Sequence, residues 1–581
     1  MKKFKRILSL SLAVALVAGC FAACGKKEPA KDVTAGAKYK ELNAIEFTKE
    51  MGNGINLGNT MEAYGHASYG TSSAVSVYET AWGMPVTTKE MIQGMKDAGF
   101  DSIRIPVAWT NMMNYESGDY TINEAYIKRV GEIITWAIEA DMIVVVNDHW
   151  DGGWWAMFGS EDQATKDKAM ALFTSMWTQL VEAYKDFDYH LVFESANEEM
   201  GDRFNDKLNN VAGKLTKDEC YELANTLNQK FVDIVRASSG YNKDRFLLLA
   251  GYNTDIAHTC DDRYKMPKDT AEGKLIVSVH YYTPSSYCIE DGITNWGTKA
   301  DFDTMNGDLA KMEKFTKAGY GVIIGEYGVL IEGQSELKAD TVTYLSNFLA
   351  NCDLYGYCPM LWDCNSQFNR KEAKMAFEEV ADLYLKNCYS TSEMTDEDVI
   401  GKANQTMKKL YSTAPEGEII PDDQARAWIM INSSDYGVTY RVGDAYPDGQ
   451  TAGLVATDVD VTGAGTYTVS LDFTGTGTGK AVGMAFSAVA ILHGETLFPG
   501  YYMEIKEIKI NGEAVEYGKG YTTSDDKITT RVNLYNGWVT EVPEGARRAD
   551  GDLSNATAMI LDGPNLGDMT TLEVTFEYVA P

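Results

Sequence analysis

The chain has no CxxC pair, no His/Cys cluster and no internal repeat. The first two absences leave no sequence basis for a zinc site or a dithiol redox centre. No Gly-rich turn follows the first apolar run, which argues against a doubly wound dinucleotide-binding sheet. Positive charge is scarce: 52 Lys and Arg face 84 Asp and Glu, a formal net charge of −32. Such a surface repels phosphate backbones, so nucleic acid is not an expected partner, and a neutral polymer suits it better. The apolar run Ile7 to Ala18 is too short to span a bilayer as a mature helix. Beyond the leader the cysteines are Cys220, Cys260, Cys288, Cys352, Cys358, Cys364 and Cys388. Their number is odd and their spacing irregular. Export permits disulfides, but these read mostly as buried free thiols.

What is present is ordinary globular material, 45% hydrophobic and 23% charged. At 581 residues it is too long for one ordinary domain. Aromatics make up 11%, with 34 Tyr and 11 Trp. Pyranose rings stack their C–H faces on such rings, although most aromatics in any protein serve the core. Lys2, Lys3, Lys5 and Arg6 precede the apolar run, and Val17-Ala18-Gly19-Cys20 follows. This resembles a bacterial lipobox, with Cys20 as the acylated residue and Cys24 as a second candidate; plain secretion is the alternative. Residues 1–24 are read as the leader and 25–45 as a tether.

From residue 46 to 411, short apolar runs alternate with amphipathic helices. The runs are 54–58, 102–107, 142–147, 190–194, 246–250, 275–279, 322–325 and 360–362. Buried parallel strands read this way. The helices carry start signals, Thr87-x-x-Glu90 and Thr216-x-x-Glu219. Eightfold strand–helix alternation predicts an α/β fold of the (β/α)₈ TIM-barrel type. Residues 412–423, with Pro415, Gly417 and Pro421, read as a linker. Over 424–581 the period becomes two, as in Tyr467, Val469, Leu471 and Phe473, and Asn511-Gly512 marks a hairpin. An all-β, jelly-roll-like sandwich is expected there.

In such barrels chemistry sits at the C-terminal strand ends. Those ends carry Asn56, Asn59, Arg104, His149, Asn197, Glu198, His280, Tyr282, Glu326 and Trp362. Strand five offers only Tyr252 and Asn253. Two Glu after strands four and seven, ringed by Arg, His, Asn and Tyr, point to paired-carboxylate chemistry rather than to one structural ion pair.

The stretches Gly54-Ile-Asn-Leu-Gly-Asn59, Glu79-Thr-Ala-Trp-Gly83, Arg104-Ile-Pro-Val107, Asn147-Asp-His149, Phe193-Glu-Ser-Ala-Asn-Glu198, His280-Tyr-Tyr282, Ile324-Gly-Glu-Tyr-Gly328 and Leu361-Trp362 resemble, in this order, glycoside hydrolase family 5. The likeness covers residues 50–365 and is greatest to the endoglucanase branch. It implies a retaining endo-β-1,4-glucanase acting on β-glucan without cofactor or metal; the leader adds a lipid anchor on the bacterial membrane, or secretion, and a monomer is expected. Glu198 is then the acid/base and Glu326 the nucleophile. Arg104 lowers the pKa of Glu326, Tyr282 aligns it, and Asn197 binds the sugar 2-hydroxyl. His149 and His280 bind hydroxyls or tune the acid, and Trp362 floors the sugar. Asn59, Trp82 and Trp296 are further substrate candidates, as are Trp109, Trp154 and Trp155. Two departures stand out: Glu199 occupies a position that is usually Pro, and Trp150 one that is often a second His. The sandwich resembles a carbohydrate-binding module, with Trp428, Tyr501, Tyr502, Tyr535 and Trp538 as a possible face. Xyloglucanase, lichenase and mannanase are sister readings. A transglycosylase, or a glycan-binding lipoprotein that does not cleave, are alternatives of another kind.

Overall fold

The computed structural model describes residues 35–289, 295–330, 336–386, 394–415, 423–433 and 454–581. The leader with Cys20 and Cys24, Cys388, and 416–422 of the linker lie outside the described residues. Each apolar run forms one strand: β1 (Gly54–Asn56), β2 (Ser102–Ile105), β3 (Ile143–Val146), β4 (Leu191–Glu194), β5 (Leu247–Ala250), β6 (Leu275–Tyr281), β7 (Gly321–Tyr327) and β8 (Cys358–Leu361). They are parallel, paired in chain order and closed by β1 against β8.

Side chains alternate faces along a strand, so the barrel interior can be followed upward two residues at a time. Low in the barrel, Ile143, Val145, Val192, Leu248, Ile276, Ile323, Cys358 and Met360 form one buried cluster. Higher on the same faces the sequence turns polar. Asn56 stands above Gly54, Arg104 above Ser102, Asn147 above Val145 and Glu194 above Val192. His280 likewise follows Ser278, and Trp362 follows Met360. An apolar base therefore supports a polar mouth, and the change occurs within single strands.

The base is sealed by residues 35–51, of which 35–45 fall in the stretch read as the tether. Ala35–Tyr39 forms a 3-10 turn and Ala44–Glu50 a helix. Tyr39, Ala44, Phe47 and Met51 join the interior cluster, and Phe47 stacks on Phe246 at 3.8 Å. The tether reading is thus corrected from Ala35 onward: its apolar residues plug the barrel.

Helices ring the outside, among them Lys89–Asp97, Glu124–Glu139, Gln163–Ala183, Lys217–Ala237, Lys299–Lys311 and Thr341–Tyr355. Thr216 and Glu219 form a reciprocal capping box. The expected box at Thr87 is shifted by one residue. The Thr87 amide donates to Glu79 at 2.7 Å, and Thr88 caps the helix instead.

The C-terminal strands build a second core. One sheet holds Val459–Val461, Ala425–Asn432, Phe486–Leu492 and Thr530–Asn536; the other holds Val455–Thr457, Gly465–Asp472, Thr571–Val579, Tyr502–Ile510 and Glu513–Ala514. Val469, Leu471 and Phe473 face Leu572, Val574, Phe576 and Tyr578 in that core. Asn511 and Gly512 both adopt positive φ, as a type I′ hairpin turn requires. Cys220, Cys288, Cys352 and Cys358 are buried and Cys260 and Cys364 half-buried, with no disulfide among the described residues.

Candidate active site

Arg104 is the hub of the barrel mouth. It is fully buried on β2 and reaches four acceptors. Its Nε donates to Glu194 Oε2 (2.6 Å) and its Nη1 to Asn56 Oδ1 (3.0 Å) and Glu326 Oε1 (2.9 Å). Its Nη2 donates to Asn197 Oδ1 (2.8 Å). A planar guanidinium serves these directions at once, as an ammonium does not. Asn56 is fixed in turn, donating to the Gly325 and Met360 carbonyls. Glu194 also accepts from Asn147 Nδ2 (3.0 Å). Sequence reasoning gave Glu194 no role; an acidic residue ending an apolar strand was the available signal.

Glu326 reaches the mouth through an irregularity. Between β6 and β7 the register slips at Val279/His280, so His280 pairs with Glu326 and Gly325 is the extra residue. Such a bulge re-aims a side chain. A Cβ on residue 325 would lie 2.7 Å from Ser278 Oγ, which only glycine avoids. The other Glu326 oxygen accepts from Tyr282 OH at 3.2 Å.

Glu198 stands opposite. His280 Nδ1 lies 2.9 Å from its Oε1 and 3.6 Å from Glu326 Oε2. Arg203 donates to Glu198 Oε2 at 3.4 Å. One oxygen from each Glu and a His280 ring nitrogen fall within 4.8 Å of one another. Among the described residues this is the group with metal-ligand geometry, but Arg104 already occupies Glu326 and opposes a cation there.

The electrostatics follow from burial and from this contact set. Burial pushes Glu326 above the usual carboxylate range, against the pull of His280 and Arg104. The expected lowering by Arg104 is therefore present but outweighed by desolvation. For Glu198 burial also acts upward, yet His280 and Arg203 overcome it and hold the group below its ordinary value. Burial opposes the charge on His280, but the two carboxylates prevail and raise it. The two carboxylates thus favour a charged imidazolium at His280, between them. His149 is held well below its ordinary value by burial and then by Arg104. Its ring stacks on Trp362 (centroids 5.6 Å apart), and its Nε2 is 3.9 Å from Glu326.

The remaining sequence candidates divide. Asn59 and Trp362 are half-buried at the mouth, and the Asn59 amide is capped by Glu62. Trp82 is exposed on the loop after β1. Trp296 is not a substrate surface: it is 5% exposed and packs on Phe302 and Tyr344. Trp109, Trp154 and Trp155 are likewise core. Tyr252 and Asn253, after β5, brace Asp202 on the β4 loop. Within the sandwich, Trp428 is buried against Ala490 and Tyr501 packs on Phe498 and Tyr578, whereas Trp538 is 74% exposed.

Residues 64–367 match the family model described as Cellulase (glycosyl hydrolase family 5). The chain belongs to this family. It is similar to endoglucanase A of Paenibacillus barcinonensis, 30% identical over 62% of this chain and 91% of that one. The xyloglucan-specific endo-β-1,4-glucanase of Bacteroides ovatus is 31% identical over 56% of this chain and 65% of its own. Among solved structures, a broad-specificity endoglucanase from an uncultured bovine rumen ciliate superposes with a TM-score of 0.52. It is 32% identical, over 60% of this chain and 99% of that chain. The family 5 barrel is thus a glycoside hydrolase domain, and the sandwich lies beyond the matched residues.

Proposed function

We propose that this hydrolase is a retaining, endo-acting β-1,4-glucanase with Glu198 as acid/base and Glu326 as nucleophile. The observation that carries the reading is the opposed carboxylate pair, with an oxygen of each within 4.8 Å. Retaining enzymes separate their carboxyls by about 5–5.5 Å; inverting ones leave room for a water. Arg104 and Tyr282 each hold one Glu326 oxygen, so a free lone pair points at the anomeric carbon. Sugar entering the mouth excludes water, and the charged Glu198–His280 pair then relaxes to the neutral one. The proton crosses the 2.9 Å hydrogen bond from His280 Nδ1 to Glu198 Oε1, and then passes to the leaving oxygen. Once Glu326 is esterified its charge is gone, Glu198 loses a like-charged neighbour, and it accepts the proton of the incoming water. The relatives named for endoglucanase and xyloglucan-specific activity support a β-1,4-glucan backbone as the substrate class.

The test is a panel of soluble cellulose derivative, mixed-linkage glucan, xyloglucan, mannan and xylan, assayed for reducing ends and viscosity. The first product should be the β-anomer by NMR. Glu326→Ala should lose activity by roughly 10⁴-fold or more, and Glu198→Gln by about 10²–10⁴-fold. A wild type that opens none of these polymers, or releases the α-anomer first, sinks the reading.

We further propose that Cys20 is acylated, which places the enzyme on the cell surface, and that exposed Trp538 lets the sandwich touch glycan. The lipobox-like leader supports the first. Palmitate labelling that persists in Cys20→Ala would contradict it, and unchanged polysaccharide retention of Trp538→Ala would contradict the second.

A further inference from the structure

Two residues that depart from the family pattern, Trp150 and Glu199, play no part in the chemistry above, and the structure joins them. Glu199 is 1% exposed, and among the described residues its carboxyl has no ion-pair partner, Arg203 acting on it only through space. Its two oxygens accept backbone amides from two different loops. Oε1 takes the Trp150 N–H (2.5 Å) on the β3 loop; Oε2 takes the Asn197 N–H (3.0 Å) on the β4 loop. A proline at 199 offers no such acceptor.

The clamped Trp150 amide lies in strained backbone. Trp150 has φ 51° and ψ −51°, and Asp151 follows with φ 44°. Non-glycine residues hold such values only where surroundings impose them, and such sites cluster at ligand clamps. The indole itself is 39% exposed, directly after His149. The Trp150 and Tyr64 rings meet edge to face, with centroids 5.6 Å apart and planes at 88°. Tyr64 is itself held. Asn111 ties the backbone on either side of it, donating to the Ala63 carbonyl and accepting from the Gly65 amide, both at 3.0 Å. Beneath it, a Cβ on Gly152 would lie 2.1 Å from the Tyr64 ring, so glycine is required there.

We propose that Trp150 and Tyr64 form an aromatic wall that stacks a glucosyl unit beside the one being cleaved, and that Glu199 is the positioning residue that aims it. The inference rests on the β-glucan reading above and adds a specificity-determining subsite to it. An exposed indole on a backbone held by the Glu199 clamp and by positive-φ geometry, with a Tyr ring against its edge, is pre-organised, so stacking a sugar on it costs little ordering.

The experiment measures kcat and KM on cello-oligosaccharides of three to six units and on an aryl β-cellobioside. The enzymes are wild type, Trp150→Ala, Trp150→Phe, Glu199→Ala, Glu199→Gln and the double variant Trp150→Ala/Glu199→Ala. In Trp150→Ala the KM rise should grow with substrate length, to about tenfold, and Trp150→Phe should recover most of it. Glu199→Ala should follow the same length dependence, and the double variant should be no worse in KM than Trp150→Ala alone, because the two act as one unit. Should Glu199→Ala fail to fold, Glu199→Gln, which keeps one acceptor oxygen, gives the same pattern at smaller size. An active wild type with a length-independent KM in Trp150→Ala, or KM effects that multiply in the double variant, overturns this inference alone. A wild type that cleaves no β-glucan overturns the reading beneath it as well.

Discussion

His280 stands directly opposite Glu326, because the ladder between β6 and β7 skips Gly325. In an unbroken register Gly325 would face His280, and Glu326 would point out of the barrel. The site therefore depends on a backbone irregularity as much as on its acidic residues.

Gly325→Ala tests that dependence. The new Cβ would meet Ser278 Oγ at 2.7 Å and His280 Nε2 at 3.2 Å. Overpacking of this kind costs about 1–3 kcal/mol. Displacement of Glu326 should lower kcat at least about tenfold. A kcat within twofold of wild type would contradict the bulge argument.

Arg104 is predicted to matter for stability as much as for rate. Removing it strands the buried Glu194 and Glu326, which loses about 3–5 kcal/mol. Arg104→Lys should rescue little, since one ammonium cannot span the four acceptors. Urea denaturation of Arg104→Met and Arg104→Lys is the measurement.

Glu199 gives a pH signature in stability. Burial raises its carboxyl from 4.5 to about 7. The folded state thus favours the neutral form: that contribution is complete below about 4.5 and disappears as pH rises through 7. Glu199→Gln stays neutral and lacks this loss. Its stability relative to wild type should rise between pH 5 and pH 8 by up to about 3 kcal/mol. Glu62, also raised to about 7, is common to both proteins and cancels. A flat difference across that range would refute the assignment.

Trp296→Ala separates core from cleft. The side chain is buried against Phe302 and Tyr344, so about 3–5 kcal/mol of stability should be lost. KM for β-glucan should stay within about twofold of wild type. Weakened binding without destabilisation would return Trp296 to the cleft.

Much of this was legible in the residues. Eight apolar runs became eight strands because parallel strands, covered on both faces, have little choice of composition. The Glu pair was visible because catalytic groups in this fold occupy strand ends. Other features were not. A bulge leaves no mark in composition, and Gly325 reads like any strand glycine. Loop tryptophans look alike in sequence, yet Trp154, Trp155 and Trp296 are buried while Trp150 is not. The shift from Thr87 to Thr88 arises because Glu79, eight residues upstream, captures an amide. Tyr39 alone was too little to outweigh the polar residues of 25–45, although with Ala44, Phe47 and Met51 it closes the barrel.

That closure also sets a direction. The chain enters the barrel at the base, through Ala35–Tyr39, whereas Glu198 and Glu326 open at the other end. Anything fastened upstream of Ala35 pulls on the sealed pole. The pole that opens to polymer and the pole at which the described chain begins are opposite ends of one barrel.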